Sequence, residues 1–247
     1  MNNYQAPSDL LQQRVILVTG AGDGIGAEAA RQYAAVGATV VLLGRTIEKL
    51  EKVYDEITAT GHPEPAIYPM DLAGAQEQDY EELANVIEQQ FGRLDGILHN
   101  ASILGRRGPL EQTRASVWDE VLQVNLTAPF LLTKFLLPLL SQAEDAAIVF
   151  TSSSVGRVGR AFWGPYAVSK FGTEGLMQVL ADEIEATTDV RVNSINPGAT
   201  NTAMRRNAYP SEKPDTNPEP KDIMPLYLYL MGPDSQGVHG QSLDAQD

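Results

Sequence analysis

Short, continuous apolar runs alternate along this chain with longer stretches of helical periodicity, and that alternation restricts the fold more than any other feature. Val15–Thr19 is apolar at nearly every position, whereas a strand with one wet face would alternate, so it reads as a strand buried on both faces. Similar runs occur at Ala38–Leu43, Ala66–Met70, Leu94–His99, Ala146–Thr151 and Val190–Ile195. Between them, helical patterns extend from a glycine-rich turn to about Val36, over Thr46–Thr60, from about Gln76 to Phe91, over Ser116–Leu140, and from about Pro165 to Glu185. Strands joined by helices must lie parallel, because the crossover helix returns the chain to the same edge of the sheet. The predicted class is therefore α/β: a parallel sheet with helices on both faces.

Composition narrows the possible functions. With 247 residues, 43% hydrophobic and 20% charged, the chain can build one globular domain over 1–247. Eighteen Lys+Arg against 32 Asp+Glu leave a formal charge of −14, which argues against nucleic acid as a partner. Cysteine is absent, which excludes disulfides, thiol catalysis and Cys-ligated metal sites. The first residues, MNNYQAPSDLLQQR, lack the basic-then-apolar order of a secretory signal. The longest greasy run, Phe130–Leu140, is interrupted by Lys134 and Pro138 and is shorter than the ~20 residues a membrane helix needs. A cytoplasmic protein without a membrane partner is expected.

The first apolar run leads directly into Gly20-Ala-Gly22-Asp23-Gly24-Ile25-Gly26 and then a helix. Glycines at such a turn let the backbone approach a pyrophosphate, whose charge sits on the helix N-terminus. A tight turn alone would need no ligand; the strand–turn–helix context is what points to a dinucleotide. The second run ends Leu43-Gly44-Arg45. NAD sites place an acid there to hold the ribose 2′-hydroxyl, and a carboxylate would repel a 2′-phosphate. Gly44 occupies the acid's place, and Arg45 can pair with a phosphate bidentately, so NADP is expected over NAD. Asp71, after the third run, becomes a candidate acceptor for the adenine amino group.

Tyr166 and Lys170 lie four residues apart on a predicted helix, so their polar ends share a face. A free phenol titrates near pH ~10, too high for a base near neutrality, and a close ammonium favours the phenolate. The pair is a plausible acid/base for carbonyl–alcohol interconversion, although a solvated helix face would show the same spacing. Ser153, at the carboxyl end of the fifth run, could donate to a substrate oxygen there.

Taken together, Thr19-Gly20-x3-Gly24-x-Gly26, His99-Asn100-Ala101-Ser102, Asn125, Ser153, Tyr166-x-x-x-Lys170 and Asn196-Pro197-Gly198 resemble the short-chain dehydrogenase/reductase family in order and spacing, from Arg14 to about Asp244. The resemblance implies a doubly wound Rossmann fold with a seven-stranded parallel sheet. It also implies that Tyr166 is the general acid/base, that Lys170 lowers its pKa and holds the nicotinamide ribose, and that Ser153 orients the carbonyl. Asn125 would keep a water linking Lys170 to solvent. Asn100 and Ala101 would pack against the adenosine ribose, and Leu72 beside Asp71 would border the adenine. Pro197, Gly198, Thr200 and Thr202 would surround the carboxamide. Two departures stand out: Ser102 replaces the family's usual glycine, and the chain ends Gly240-Gln-Ser-Leu-Asp-Ala-Gln-Asp247 in place of Asp-Gly-Gly. That ending often contributes to oligomer contacts, so a homo-oligomer is expected as either a tetramer or a dimer.

The expected substrate is a small carbonyl compound or alcohol. Six of the 18 Lys+Arg sit in loops after the fourth, fifth and sixth runs: Arg106, Arg107, Arg157, Arg160, Arg205 and Arg206. A cationic rim there would favour an anionic substrate, the alternative being solvated arginines paired with nearby acids. Phe162 and Trp163 could add an apolar wall. Segment 199–222, rich in proline over Tyr209–Lys221, is expected to be a lid. A competing reading is a dinucleotide-binding sensor or scaffold that has lost catalysis; the Ser153, Tyr166, Lys170 and Asn125 set counts against it. Hydrolase chemistry fits less well, because no Gly-x-Ser-x-Gly elbow is present and His62, His99 and His239 show neither triad nor metal spacing. His99 reads as a polar residue ending the fourth strand.

Overall fold

The computed structural model describes residues 3–246. Seven strands form one parallel sheet: β1 (Val15–Thr19), β2 (Thr39–Gly44), β3 (Ala66–Pro69), β4 (Gly96–His99), β5 (Ala146–Thr151), β6 (Val190–Asn196) and β7 (Ser242–Asp244). Their order is β3-β2-β1-β4-β5-β6-β7. All five residues of β1 are buried, as the unbroken apolar run requires. Ile16 and Val18 face a core shared with α1 (Gly24–Ala35), α2 (Ile47–Ala59) and α8 (Met224–Met231). Val15 and Leu17 face the opposite core, shared with α3 (Glu77–Phe91), α5 (Ala128–Leu140) and α6 (Gly164–Ile184). Helices therefore cover both faces, as in a Rossmann-type doubly wound fold.

The strand order reverses between β1 and β4, and ligands of open parallel sheets bind at that crevice. Its walls are tied together by Thr19, whose Oγ1 accepts from the amides of Asn100 (2.9 Å) and Ala101 (3.0 Å). The Asn100 side chain donates back to the Thr19 carbonyl at 3.1 Å.

The expected helix over Ser116–Leu140 divides into α4 (Ala115–Leu122), a π-helical turn (Gln123–Thr127) and α5. The turn contains Asn125, whose side chain is drawn to the backbone of Ile103: it accepts from Ile103 N at 2.8 Å and donates to Ile103 O at 3.0 Å. Counted together, Ala115–Leu140 is long and apolar enough to cross a membrane by length and composition, contrary to the count on Phe130–Leu140 alone. Here Leu132, Leu136, Leu139 and Leu140 are spent on the core. Three elements were not legible as patterns: β7, only three residues long at the sheet edge, the short α7 (Ala203–Ala208), and α8. His99 ends β4 buried, stacked on Phe150 at 4.6 Å and bonded to Thr133 at 3.0 Å. Burial pulls its pKa down to about 3, so the ring is neutral.

Candidate active site

A cleft of about 630 Å³ runs along the carboxyl ends of the strands. Gly20, Gly22, Asp23, Gly24 and Ile25 line one end, joined by Arg45, Asp71, Leu72, Asn100 and Ala101. Ser153, Tyr166, Lys170, Pro197, Gly198, Thr200 and Thr202 line the same cleft. Gly26 stands behind the wall rather than in it. A Cβ there would come within 2.3 Å of the Gly20 carbonyl, so only glycine lets α1 start against the turn. Gly20 itself has φ +67°, the left-handed region that favours glycine. This cradle at a helix N-terminus fits a dinucleotide pyrophosphate.

At the adenosine end, Arg45 is exposed and makes no ion pair among the described residues, so its fork is uncommitted. The side chain of Asp23 caps α1 by accepting from Gly24 N at 2.7 Å. Its second oxygen accepts from Lys49 Nζ at 2.6 Å, and this contact holds the carboxyl below its ordinary range. Lys49, also in the wall, was missed from sequence. Its position four residues after Arg45, on one side of the start of α2, was the available signal. Asp71, in the cleft wall, accepts from Ala73 N at 3.1 Å.

Ser153 follows β5, and Tyr166 and Lys170 come from the first turns of α6, so one strand end and one helix bring the three side chains to the cleft. Burial pushes Tyr166 up to about 12, and a hydrogen bond from Ser153 opposes the rise. Lys170 stands beside it. Its ammonium donates to the Thr151 carbonyl at 2.8 Å, and it lies 5.7 Å from the centre of the Tyr166 ring. Burial pulls Lys170 itself down to about 8, against the attraction of Glu174. Tyr166 is therefore held protonated, as a proton donor. Asn125 lies outside the wall, and both hydrogens of its amide are engaged, by Ile103 O and by Ser169 Oγ at 3.0 Å each. No donor of that side chain remains for the expected water.

Beyond Tyr166 the wall turns apolar. Leu104, Trp163 and Met204 cluster with Tyr166, Val155 and Ala167, and Ala208 closes the end. Leu104, Met204 and Ala208 carried no sequence signal. Phe162 is not part of this wall: it is exposed, with φ +72°, and its carbonyl accepts from Gly108 N at 3.2 Å. The arginines are mostly committed elsewhere. Arg157 donates to both oxygens of Asp244 at 3.0 and 2.8 Å. Arg205 grips Glu212 through two bonds of 2.6 Å each. Arg206 donates to Asn201 at 2.7 Å. Arg107 lies against the rings of both Trp163 (4.5 Å) and Tyr209 (4.9 Å), which also pack on each other, and donates to the Ala208 carbonyl.

The model of the short chain dehydrogenase family matches residues 14–213. The chain belongs to that family. It is an oxidoreductase, with the seven-stranded parallel Rossmann-like sheet expected of a member. It is 52% identical over 244 residues to Escherichia coli (strain K12) YciK, an oxidoreductase itself uncharacterized, covering 99% of this chain and 96% of that one. A short chain dehydrogenase structure from Pseudomonas syringae shares 62% identity at a TM-score of 0.97, with 99% of each chain covered. Another, from Escherichia coli CFT073 in complex with NADPH, shares 53% identity at a TM-score of 0.95, covering 98% of this chain and 100% of that one.

Proposed function

We propose that this dehydrogenase interconverts a carbonyl and a secondary alcohol with NADP(H), in preference to NAD(H). The observation that carries the reading is the meeting of Ser153, Tyr166 and Lys170 in one cleft with the glycine cradle and an uncommitted Arg45. The NADPH complex of a relative at 53% identity supports the same cofactor. The cradle would hold the pyrophosphate, Arg45 with Lys49 the 2′-phosphate, and Asp71 the adenine amino group. When bound, the nicotinamide supplies the hydride.

Tyr166, held protonated by burial, donates its proton to the oxygen as negative charge develops there. Ser153 donates to that oxygen and fixes its position. Lys170, brought down to about 8 by burial and so readier to give up its proton, returns one to Tyr166. Asn125 fixes Ile103 and Ser169 beside these groups. Screening carbonyls by NADPH absorbance tests the reading. Cofactor binding without turnover of any carbonyl would favour the sensor alternative.

The segment over 199–222 acts as a lid in this reading: α7 and Tyr209 pack on Trp163, whose ring centre is 5.9 Å from that of Tyr209. Arg107→Ala should raise amide exchange over residues 203–221; unchanged exchange would argue for a fixed loop. A homo-oligomer, dimer or tetramer, is proposed through α5 and α6. Val168, Phe171 and Val179 form an exposed apolar stripe on α6, and Phe130 is exposed on α5. The protein is read as cytoplasmic, its longest apolar helix being used in the core.

A further inference from the structure

The reacting group of the substrate must lie against Ser153 and Tyr166, so the rest of it faces the end of the cleft formed by Leu104, Trp163, Met204 and Ala208. What that end offers is decided by the fate of six arginines that the topology brings to the same edge of the sheet. Arg157, Arg206 and Arg107 are absent from the cleft wall, each engaged as described. Arg106 and Arg160 are exposed and also outside it. Arg205 does belong to the wall, but its Nε and Nη2 donate to Glu212 and Tyr209 covers its face at 3.9 Å. Glu120, also in the wall and without an ion pair among the described residues, has the wrong sign to receive an anion.

A carboxylate or phosphate entering this chamber would lose its water and gain no opposite charge, an arrangement that is strongly unfavourable. Apolar carbon, by contrast, would gain from burial against Trp163, Leu104 and Met204. Arg107 ties this end of the cleft together. Its guanidinium, set against both Trp163 and Tyr209 and bonded to Ala208, fastens the loop after β6 to the loops after β4 and β5. The cation thus serves as a clasp outside the cleft wall, engaged by the two rings and the Ala208 carbonyl.

We infer that the substrate is an uncharged, predominantly apolar carbonyl compound or its alcohol, held in the Leu104–Trp163–Met204 chamber. This rests on the dehydrogenase reading above and opposes the anionic preference suggested by the count of loop arginines.

Matched pairs of keto-esters and their keto-acids, aliphatic, alicyclic and aromatic, test it. Trp118→Phe leaves Trp163 as the only tryptophan, because the chain has two and Trp118 is outside the cleft wall. Fluorescence of Trp163, with NADP⁺ bound so that no ketone is reduced, then reports binding directly. NADPH consumption reports turnover separately. The expected result is at least tenfold tighter binding and higher kcat/KM for the ester in each pair that binds. Acids that match or exceed their esters overturn the inference while leaving the reading intact, as does a panel that is reduced without perturbing Trp163. NADPH binding with no ketone reduced overturns the reading and the inference together. Glu212→Gln, which releases Arg205, should narrow the ester–acid gap at least threefold. A gap left as wide would overturn the claim that this ion pair removes Arg205 from recognition.

Discussion

The Gln246 side-chain amide donates to the Pro197 carbonyl at 2.8 Å and reaches the Ala199 carbonyl at 3.0 Å. The penultimate residue therefore holds the loop that leaves β6 and lines the cleft. Gly198 is matched to this contact: a Cβ on it would approach the Gln246 amide carbon to 2.8 Å, and its φ is +71°. Gln246→Ala should weaken NADPH binding several-fold and lower unfolding free energy by about 1–2 kcal/mol, the worth of losing such hydrogen bonds. Fluorescence titration and denaturant melts read the two effects. A variant indistinguishable from the parent would remove Gln246 from the site.

Cofactor choice should follow charge at the end of β2. NADPH is expected to bind more tightly than NADH, and Gly44→Asp combined with Arg45→Ala should reverse the order. A Cβ at Gly44 would come within 3.2 Å of the end of the buried Leu50 side chain, which must shift by a few tenths of an ångström to admit it. Equal dissociation constants for the two cofactors in the parent would contradict the assignment.

Removing the proton donor should separate chemistry from binding. Tyr166→Phe is expected to lower kcat by about 10²–10⁴ while NADPH affinity is nearly unchanged. Lys170→Ala should reduce both, because its ammonium is assigned to the ribose as well. More than about a tenth of the activity left in Tyr166→Phe would be incompatible with a general-acid contribution of that size.

Buried Lys170 should also leave a mark on stability. Its pKa falls from 10.5 in the unfolded chain to about 8 in the folded one, so between those values the unfolded state holds more protons. Stability must therefore rise with pH across that window, by about 3 kcal/mol in total for this group. Tyr166 acts in the opposite sense: raised from 10.0 to about 12, it makes stability fall as pH climbs above 10. The expected melting profile climbs from pH 8 and turns over near pH 10. Lys170→Met should flatten the climb, as measured by thermal unfolding across that range. An unchanged slope would show that Lys170 is not the group responsible.

Six of the seven strands and the Tyr166–Lys170 pair were legible because their signals are local. An unbroken apolar run such as Val15–Thr19 can only be satisfied by burial on both faces, and a spacing of four puts Tyr166 and Lys170 on one side of any helix. The glycines of the first turn belong with these, since a positive φ at Gly20 is a property of one residue. Other features depend on partners far along the chain. Arg157 meets Asp244 across 87 positions, and Arg107 meets the Ala208 carbonyl across 101. A count of arginines near strand ends predicts a cationic rim; whether each charge faces a ligand or an acid depends on what the fold sets beside it. The same holds for β7, too short for a pattern and ordered by pairing with β6, and for Lys170, whose ammonium donates to the Thr151 carbonyl. Sequence determined the six longer strands, most of the helices between them and the glycine turn, because backbone conformation and periodicity are settled within a few residues. Tertiary structure alone decided how those charges are paired and how deeply they are buried, because electrostatic and desolvation energies are set by neighbours in space.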